Sequence, residues 1–159
     1  ARDRPEDFAD LIDRLGARFG TRRVQRFDFL DTHWPEGAVA ARPAAHGPPA
    51  VTALPTIPPE TPFLPTRPLR LFEKPEPIDA IATVPDGPPE KFRWRRVMHD
   101  VIAVEGPERI AAEWWKDQGP TRDYFRVEDA QGGRFWLFRE GLYGAETMRP
   151  RWFMHGLFA

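Results

Sequence analysis

The sequence predicts a mainly β protein. A small antiparallel β-barrel, SH3-like or similar, is expected over residues 78–159, behind a Pro-rich extended linker (37–77) and a short N-terminal α/β remnant (1–36). Short alternating or β-rich runs follow one another in the second half, separated by turns containing Gly and Pro. Proline recurs at 43, 48, 49, 55, 58, 59, 62, 65, 68, 75 and 77, which no helix tolerates. Thirteen of the twenty aromatic residues lie after Glu90. That density compensates for a domain near the lower size limit of a self-sufficient core.

In chain order, Phe8, Leu11, Ile12, Leu15 and Phe19 recur at helical spacing after Pro5 and Glu6-Asp7. Arg14 and Arg18 lie toward the end of this helix, and Gly20 stops it. Val24 to Phe29 reads as one strand. A helix and one strand cannot bury a core alone, so this unit either docks elsewhere or is the tail of a domain lying upstream. The charged start Ala1-Arg2-Asp3-Arg4 is consistent with a cut inside a longer protein. Leu54, Ile57, Phe63 and Leu64 are the apolar points of the linker. From Ile78 the texture is strand: Ile78–Val84, a turn at Pro85-Asp86-Gly87-Pro88, Phe92–Arg95, and Val97–Val104 ended by Gly106-Pro107. Tyr124–Glu128 and Arg134–Arg139 flank a hairpin turn at Asp129–Gly133, and Trp152–Phe158 closes the chain.

Composition excludes several chemistries. Cys, Ser and Asn are absent, which removes disulfides, thiolate sites and the usual Ser or Cys nucleophile constellations. A chain without Cys fits a reducing cytosol. Net charge is −1, so no overall field drives the chain onto nucleic acid. His33, His46, His99 and His155 have no metal-ligand spacing. The acids from Asp100 to Glu140 have no diagnostic spacing for acid/base work. No enzyme activity, cofactor or metal is expected, and no apolar run approaches the ~20 residues of a membrane helix.

Two groups of residues are candidates for contact. Trp114 and Trp115, read as part of a strand, point to opposite faces. They serve either as a partner anchor or base-stacking platform, or as caps on the barrel ends. With Arg122, Tyr124, Tyr143 and Trp152 they form the expected partner surface. Lys91, Arg93 and Arg95, with Arg96 beside them, form a basic stripe opposite Phe92 and Trp94. Such a stripe either contacts phosphates or is a solvated face paired with acids, since residues 90–159 carry twelve basic and eleven acidic side chains.

Four segments together resemble the C-terminal end of the ImuB family: Pro107–Trp115, Thr121–Glu128, Phe135–Gly144 and Trp152–Ala159. Arg67–Leu71 and Val84–Pro89 are similar to the stretch before it. Asp10–Arg18 and Asp31–Glu36 are similar to the segment after that family's polymerase-like body. The resemblance implies a Y-family polymerase relative that has lost catalytic carboxylates and belongs to a damage-induced (SOS) mutasome. Its implied partners are ImuA, which is RecA-like, and an error-prone C-family DNA polymerase. The sliding clamp would be engaged through a motif upstream of the helix; Gln25–Leu30 lacks the leucine that such a motif carries after Gln. The implied role is recruitment in translesion synthesis, in the bacterial cytoplasm and on the nucleoid when active, with residues 1–36 the end of the little-finger region. DNA contact by the barrel is the alternative.

Overall fold

The computed structural model describes residues 5–45, 66–113, 115 and 119–158. The chain divides into two units, Ala1–Pro62 and Phe63–Ala159. The first unit contains α1 (Pro5–Phe19), β1 (Gln25–Phe29), a short 3-10 turn (Pro35–Gly37) and β2 (Val39–Pro43). Gly20 closes α1 at φ +91°, its N–H reaching Gly16 O at 2.9 Å, as an αL cap requires. β1 and β2 pair antiparallel from Gln25↔Pro43 to Phe29↔Val39.

β2 therefore lies inside the stretch expected to be linker. Val39 to Arg42 carries no proline, Arg42 Nη2 donates to Asp28 Oδ1 across the pair at 3.1 Å, and Pro43 stands at the last strand position. Phe8, Leu11, Phe19, Phe27, Phe29 and Val39 remain exposed. Most of the expected linker, including Leu54, Ile57, Phe63 and Leu64, lies outside the described residues.

The second unit is a closed antiparallel barrel of six strands: β3 (Arg70–Ala82), β4 (Pro89–Trp94), β5 (Val97–Ile110), β6 (Arg122–Asp129), β7 (Arg134–Glu140) and β8 (Arg151–Leu157). Each strand pairs with its neighbours in sequence, and β8 returns to β3. Two long strands make the corners. β3 pairs with β8 along Arg70–Ile78 and with β4 along Asp79–Ala82. β5 pairs with β4 as far as Asp100, then with β6 from Val101. Handing a strand from one partner to the next bends the wall enough to close it, and bulges add local twist.

Three local readings change. β3 begins at Arg70, although Pro75 and Pro77 fall within it. Pro75 lies where the β3–β8 register shifts, and Pro77, opposite Phe153 of β8, precedes the start of β4 pairing, so both prolines fall before β3 is paired to β4. Gly106-Pro107 does not end β5: Gly106, at φ +124°, sits in a bulge between Glu105 and Glu108, and the strand runs on to Ile110. The strand over Phe92–Arg95 and the one from Val97 are joined by a two-residue hairpin. Its turn residues are Arg95 (φ 47°) and Arg96 (φ 71°), without the Asn or Gly such turns prefer. Arg95 offsets that strain by bonding Glu76 and lying 4.5 Å over the Trp94 ring.

The barrel holds Phe72, Phe92, Phe125, Val127, Phe135, Leu137, Trp152 and Met154 in its core. A second cluster, Tyr124, Trp136 and Phe138 with Ile110, Phe153 and Phe158, packs on the opposite face of β6 and β7. Arg67 lies 5.0 Å over Trp136 and grips Glu108 with two bonds of 2.5 and 2.6 Å, which straps the entry segment to the wall.

Candidate interaction surface

The expected partner residues separate. Tyr124 is only 1% exposed: it stacks on Trp136 at 4.2 Å, and its hydroxyl lies 3.0 Å from His155 Nδ1. Its ring is core and offers no outer surface. Trp152 is likewise buried, packed 5.5 Å from Phe125. Arg122 lies 4.7 Å over Phe138 and donates to the Tyr124 hydroxyl at 3.3 Å, covering the second cluster. Trp115 follows the end of β5 in a turn rather than a strand and is 53% exposed. Trp114 lies outside the described residues.

The basic stripe is largely answered by acids on adjoining strands. Lys91 pairs with Asp100 at 2.7 Å, Arg93 with Asp79 at 2.5 Å and Arg95 with Glu76 at 2.7 Å. Glu76 also accepts from Trp94 Nε1 at 2.7 Å, and the bonds from Arg95 and Trp94 hold its carboxyl below the usual range. Paired in this way, the three cations leave little field for phosphate. Arg96 stands in the turn itself.

A buried charge network occupies one end of the barrel. Asp123 accepts from Arg109 at 2.7 and 3.0 Å and from Arg139 at 2.7 Å. The Arg139 side chain is 4% exposed and also bonds Asp86 Oδ1 at 2.8 Å and Pro85 O at 2.7 Å, tying the β3–β4 turn to β7. Burial pushes the Asp123 carboxyl up, but the two guanidiniums outweigh it and hold it below the usual carboxylate range. The sequence pattern missed Arg139 because charged residues are rarely buried unless paired. Its signal was the register that sets Asp123 directly opposite.

The loop between β7 and β8 is held by Glu146. It accepts from Thr121 N (3.0 Å), Thr121 Oγ1 (2.7 Å) and Leu142 N (3.1 Å). These bonds lower its carboxyl against the opposing effect of burial. The loop sets Tyr143 and Met148 beside a cleft of about 240 Å³, together with Ala80, Ala82, Val84, Arg139 and Trp152. Of the sequence candidates, Tyr143 and Trp152 are thus brought together, while Trp115 and Arg122 do not line this cleft. Glu146→Ala is expected to release the loop at a cost of about 1–3 kcal/mol. Hydrogen exchange should then rise over 141–150, with the barrel strands staying protected.

Asp129 bonds His99 Nδ1 at 2.7 Å and accepts from Gln131 N (3.0 Å) and Gly133 N (2.8 Å), fixing the β6–β7 turn. Among the described residues no group of three His, Asp or Glu side chains is placed to hold a metal ion. No helix among them is long and apolar enough to cross a membrane.

Two proteins named Protein ImuB, from Caulobacter vibrioides strains NA1000 / CB15N and ATCC 19089 / CIP 103742 / CB 15, are each 48% identical to this chain over 162 residues. The match takes in 96% of the chain. The chain is related to ImuB. It spans 33% of the length of those relatives, their C-terminal third. No family model matches the chain, and no solved structure matches it. The barrel and the helix–hairpin unit both lie within the matched share of ImuB.

Proposed function

We propose that this chain is the C-terminal assembly module of an ImuB-type, non-catalytic polymerase-like protein acting in damage-induced translesion synthesis. The single observation that carries this is the 48% identity to Protein ImuB over nearly the whole chain. The barrel recruits ImuA, the RecA-like partner, and the error-prone C-family polymerase, while the sliding clamp is engaged through upstream sequence. The proline-rich stretch expected as linker over 37–77, less the residues that β2 and β3 take up, acts as a tether that raises the effective concentration of recruited partners near the body. Exposed Trp115 and the Tyr143–Trp152 cleft are the contact points on the barrel, and the uncovered apolar residues of α1 and β1–β2 pack on the little-finger body. Affinity capture with the 159-residue chain as bait, against purified ImuA and polymerase separately, tests this. Retention of at least one is expected, and failure to retain either overturns it.

Nucleic-acid contact through Lys91, Arg93, Arg95 and Arg96 is disfavoured by the ion pairs that occupy three of those four cations. Fluorescence anisotropy with a labelled single-stranded oligonucleotide is expected to show no binding even at low salt. Binding that weakens steeply as salt is added would reinstate the DNA reading.

A further inference from the structure

We propose that residues 66–71 form a releasable strap over the Trp136 face of the barrel, held shut by Arg67. Once lifted, its seat takes an extended arginine–proline segment of the same chemistry. The inference goes beyond the assembly function above and does not depend on it. Three strands build the seat. The Gly106 bulge of β5 resets the register so that Glu108 stands opposite Tyr124 of β6. Arg67 grips Glu108 with both terminal nitrogens, at 2.5 and 2.6 Å, and lies 5.0 Å over the Trp136 ring of β7. Pro68 is buried against Gly156 of β8. A Cβ added at Gly156 would lie 2.5 Å from Pro68 Cγ and 2.8 Å from Arg70 O, so only glycine lets the strap approach this closely.

The rest of the strap is lightly held. Arg67, Leu69 and Arg70 are exposed, Leu69 at 83%. Two pairs, Arg70↔Leu157 and Leu71↔Gly156, join it to β8, and the ladder then breaks until Glu76↔Met154. Phe72 is buried in the core and stacks 6.1 Å from Trp94, so opening stops there. A short segment with few ladder pairs and few buried apolar groups opens locally while the core stays closed. The clasp is also open to water and salt, since 41% of the Arg67 and 35% of the Glu108 side chain are exposed. The proline-rich stretch joins the barrel through this strap, so whatever engages that stretch acts on the strap first.

Lifting the strap uncovers an aromatic surface and a strand edge together. Trp136 is 2% exposed with Arg67 over it, and its ring stacks on Tyr124 at 4.2 Å and His155 at 5.4 Å. The edge of β8 at Gly156 and Leu157 loses its partner, and a free edge is a template for an extended segment. The strap itself defines what that segment must carry. It needs an arginine for Glu108 and Trp136, then a proline for Gly156, then residues that pair with the end of β8. In cis the strap has the advantage of a high effective concentration, so a competitor binds well only after the clasp is weakened.

The test uses the full chain, uniformly labelled with nitrogen-15, and the end-blocked synthetic peptide Thr-Arg-Pro-Leu-Arg-Leu. In Arg67→Ala, amide hydrogen exchange over 69–71 and 156–157 is expected to rise about fivefold or more. The Trp136 indole resonance should move, while the amides of β6 and β7 stay protected. Millimolar peptide should then return that resonance toward its wild-type position, whereas the wild type, its seat filled, should take up little peptide. Alanine in place of the peptide's first arginine should weaken binding about tenfold or more, and so should Glu108→Leu added to Arg67→Ala. Unchanged exchange and an unmoved indole in Arg67→Ala would overturn the proposal, as would loss of protection that spreads through β6 and β7. No return with millimolar peptide, or equal binding by the alanine peptide, would overturn it too. So would a wild-type dimer that Arg67→Ala dissociates, since the strap would then be seated on a second copy.

Discussion

Asp123→Ala is expected to lower the stability of the barrel by about 3–5 kcal/mol, the range for removing one partner of a buried ion pair. Asp123 is 1% exposed and directly opposite Arg139 in the β6–β7 register. Without its carboxylate, Arg139 keeps only the solvent-facing Asp86 and the Pro85 carbonyl. Arg109, about half exposed, can turn to water and suffers less. Against a total stability of about 5–15 kcal/mol, the loss is enough to unfold much of the population on mild heating. Urea denaturation of the full chain followed by tryptophan fluorescence checks it. The double variant Asp123→Leu with Arg139→Met should recover part of the loss, because no buried charge is then left alone.

Carboxyls held below their ordinary range set the response to acid. The folded carboxyls of Asp123, Asp129 and Glu146 are all held below their ordinary range, with burial opposing and hydrogen bonds prevailing. A depressed carboxyl contributes stability that is fully present above its unfolded value and is lost as pH falls through the folded one. Thermal midpoints should therefore be flat near neutrality and decline below about pH 4. In Asp123→Ala the decline should be shallower, since one of the linked groups is gone.

Gly106→Ala should cost about 3 kcal/mol or more, combining backbone strain of ~1–3 kcal/mol with overpacking of ~1–3 kcal/mol. Gly106 stands at φ +124°, and an added Cβ would lie 2.7 Å from Tyr124 O and 3.4 Å from Phe125 Cα. Both obstacles are backbone of β6, so no side chain can rotate to make room. The expected readout is a large fall in thermal midpoint with the β5–β6 amides losing protection first. Gly132→Ala is the comparison: at φ +80° it carries strain, but nothing lies within 4 Å of its Cβ, so its loss should be much smaller.

Local chemistry made much of the barrel legible. Alternation placed Phe92, Phe125, Leu137 and Met154 in strands, and Asp129-Ala130-Gln131-Gly132-Gly133 announced the turn that joins β6 to β7. These signals are short range: a side-chain period of two and residues that accept unusual φ angles. The Arg95-Arg96 turn had no such signal, since its stabilising groups are Trp94 next to it and Glu76, 19 residues from Arg95.

The candidate site was less legible, because an aromatic or charged residue takes its role from what lies across it. Tyr124 and Trp152 had the chemistry of interface anchors, yet the second cluster and the barrel core enclose them. The Arg93 stripe read equally as a phosphate contact or as a face paired with acids until Asp79, 14 residues away, was brought beside it. By itself, the amino-acid sequence determined a β-rich C-terminal unit with its hairpins, and a kinship with ImuB carried by its segments. Only the tertiary structure decided that β3 passes from β8 to β4, that Asp123 and Arg139 are buried together, and that Tyr143 and Trp152 share a cleft. The physical reason is range: strand period and turn geometry are written in neighbouring residues, whereas barrel closure joins residues far apart in the chain through many weak contacts that no local pattern contains.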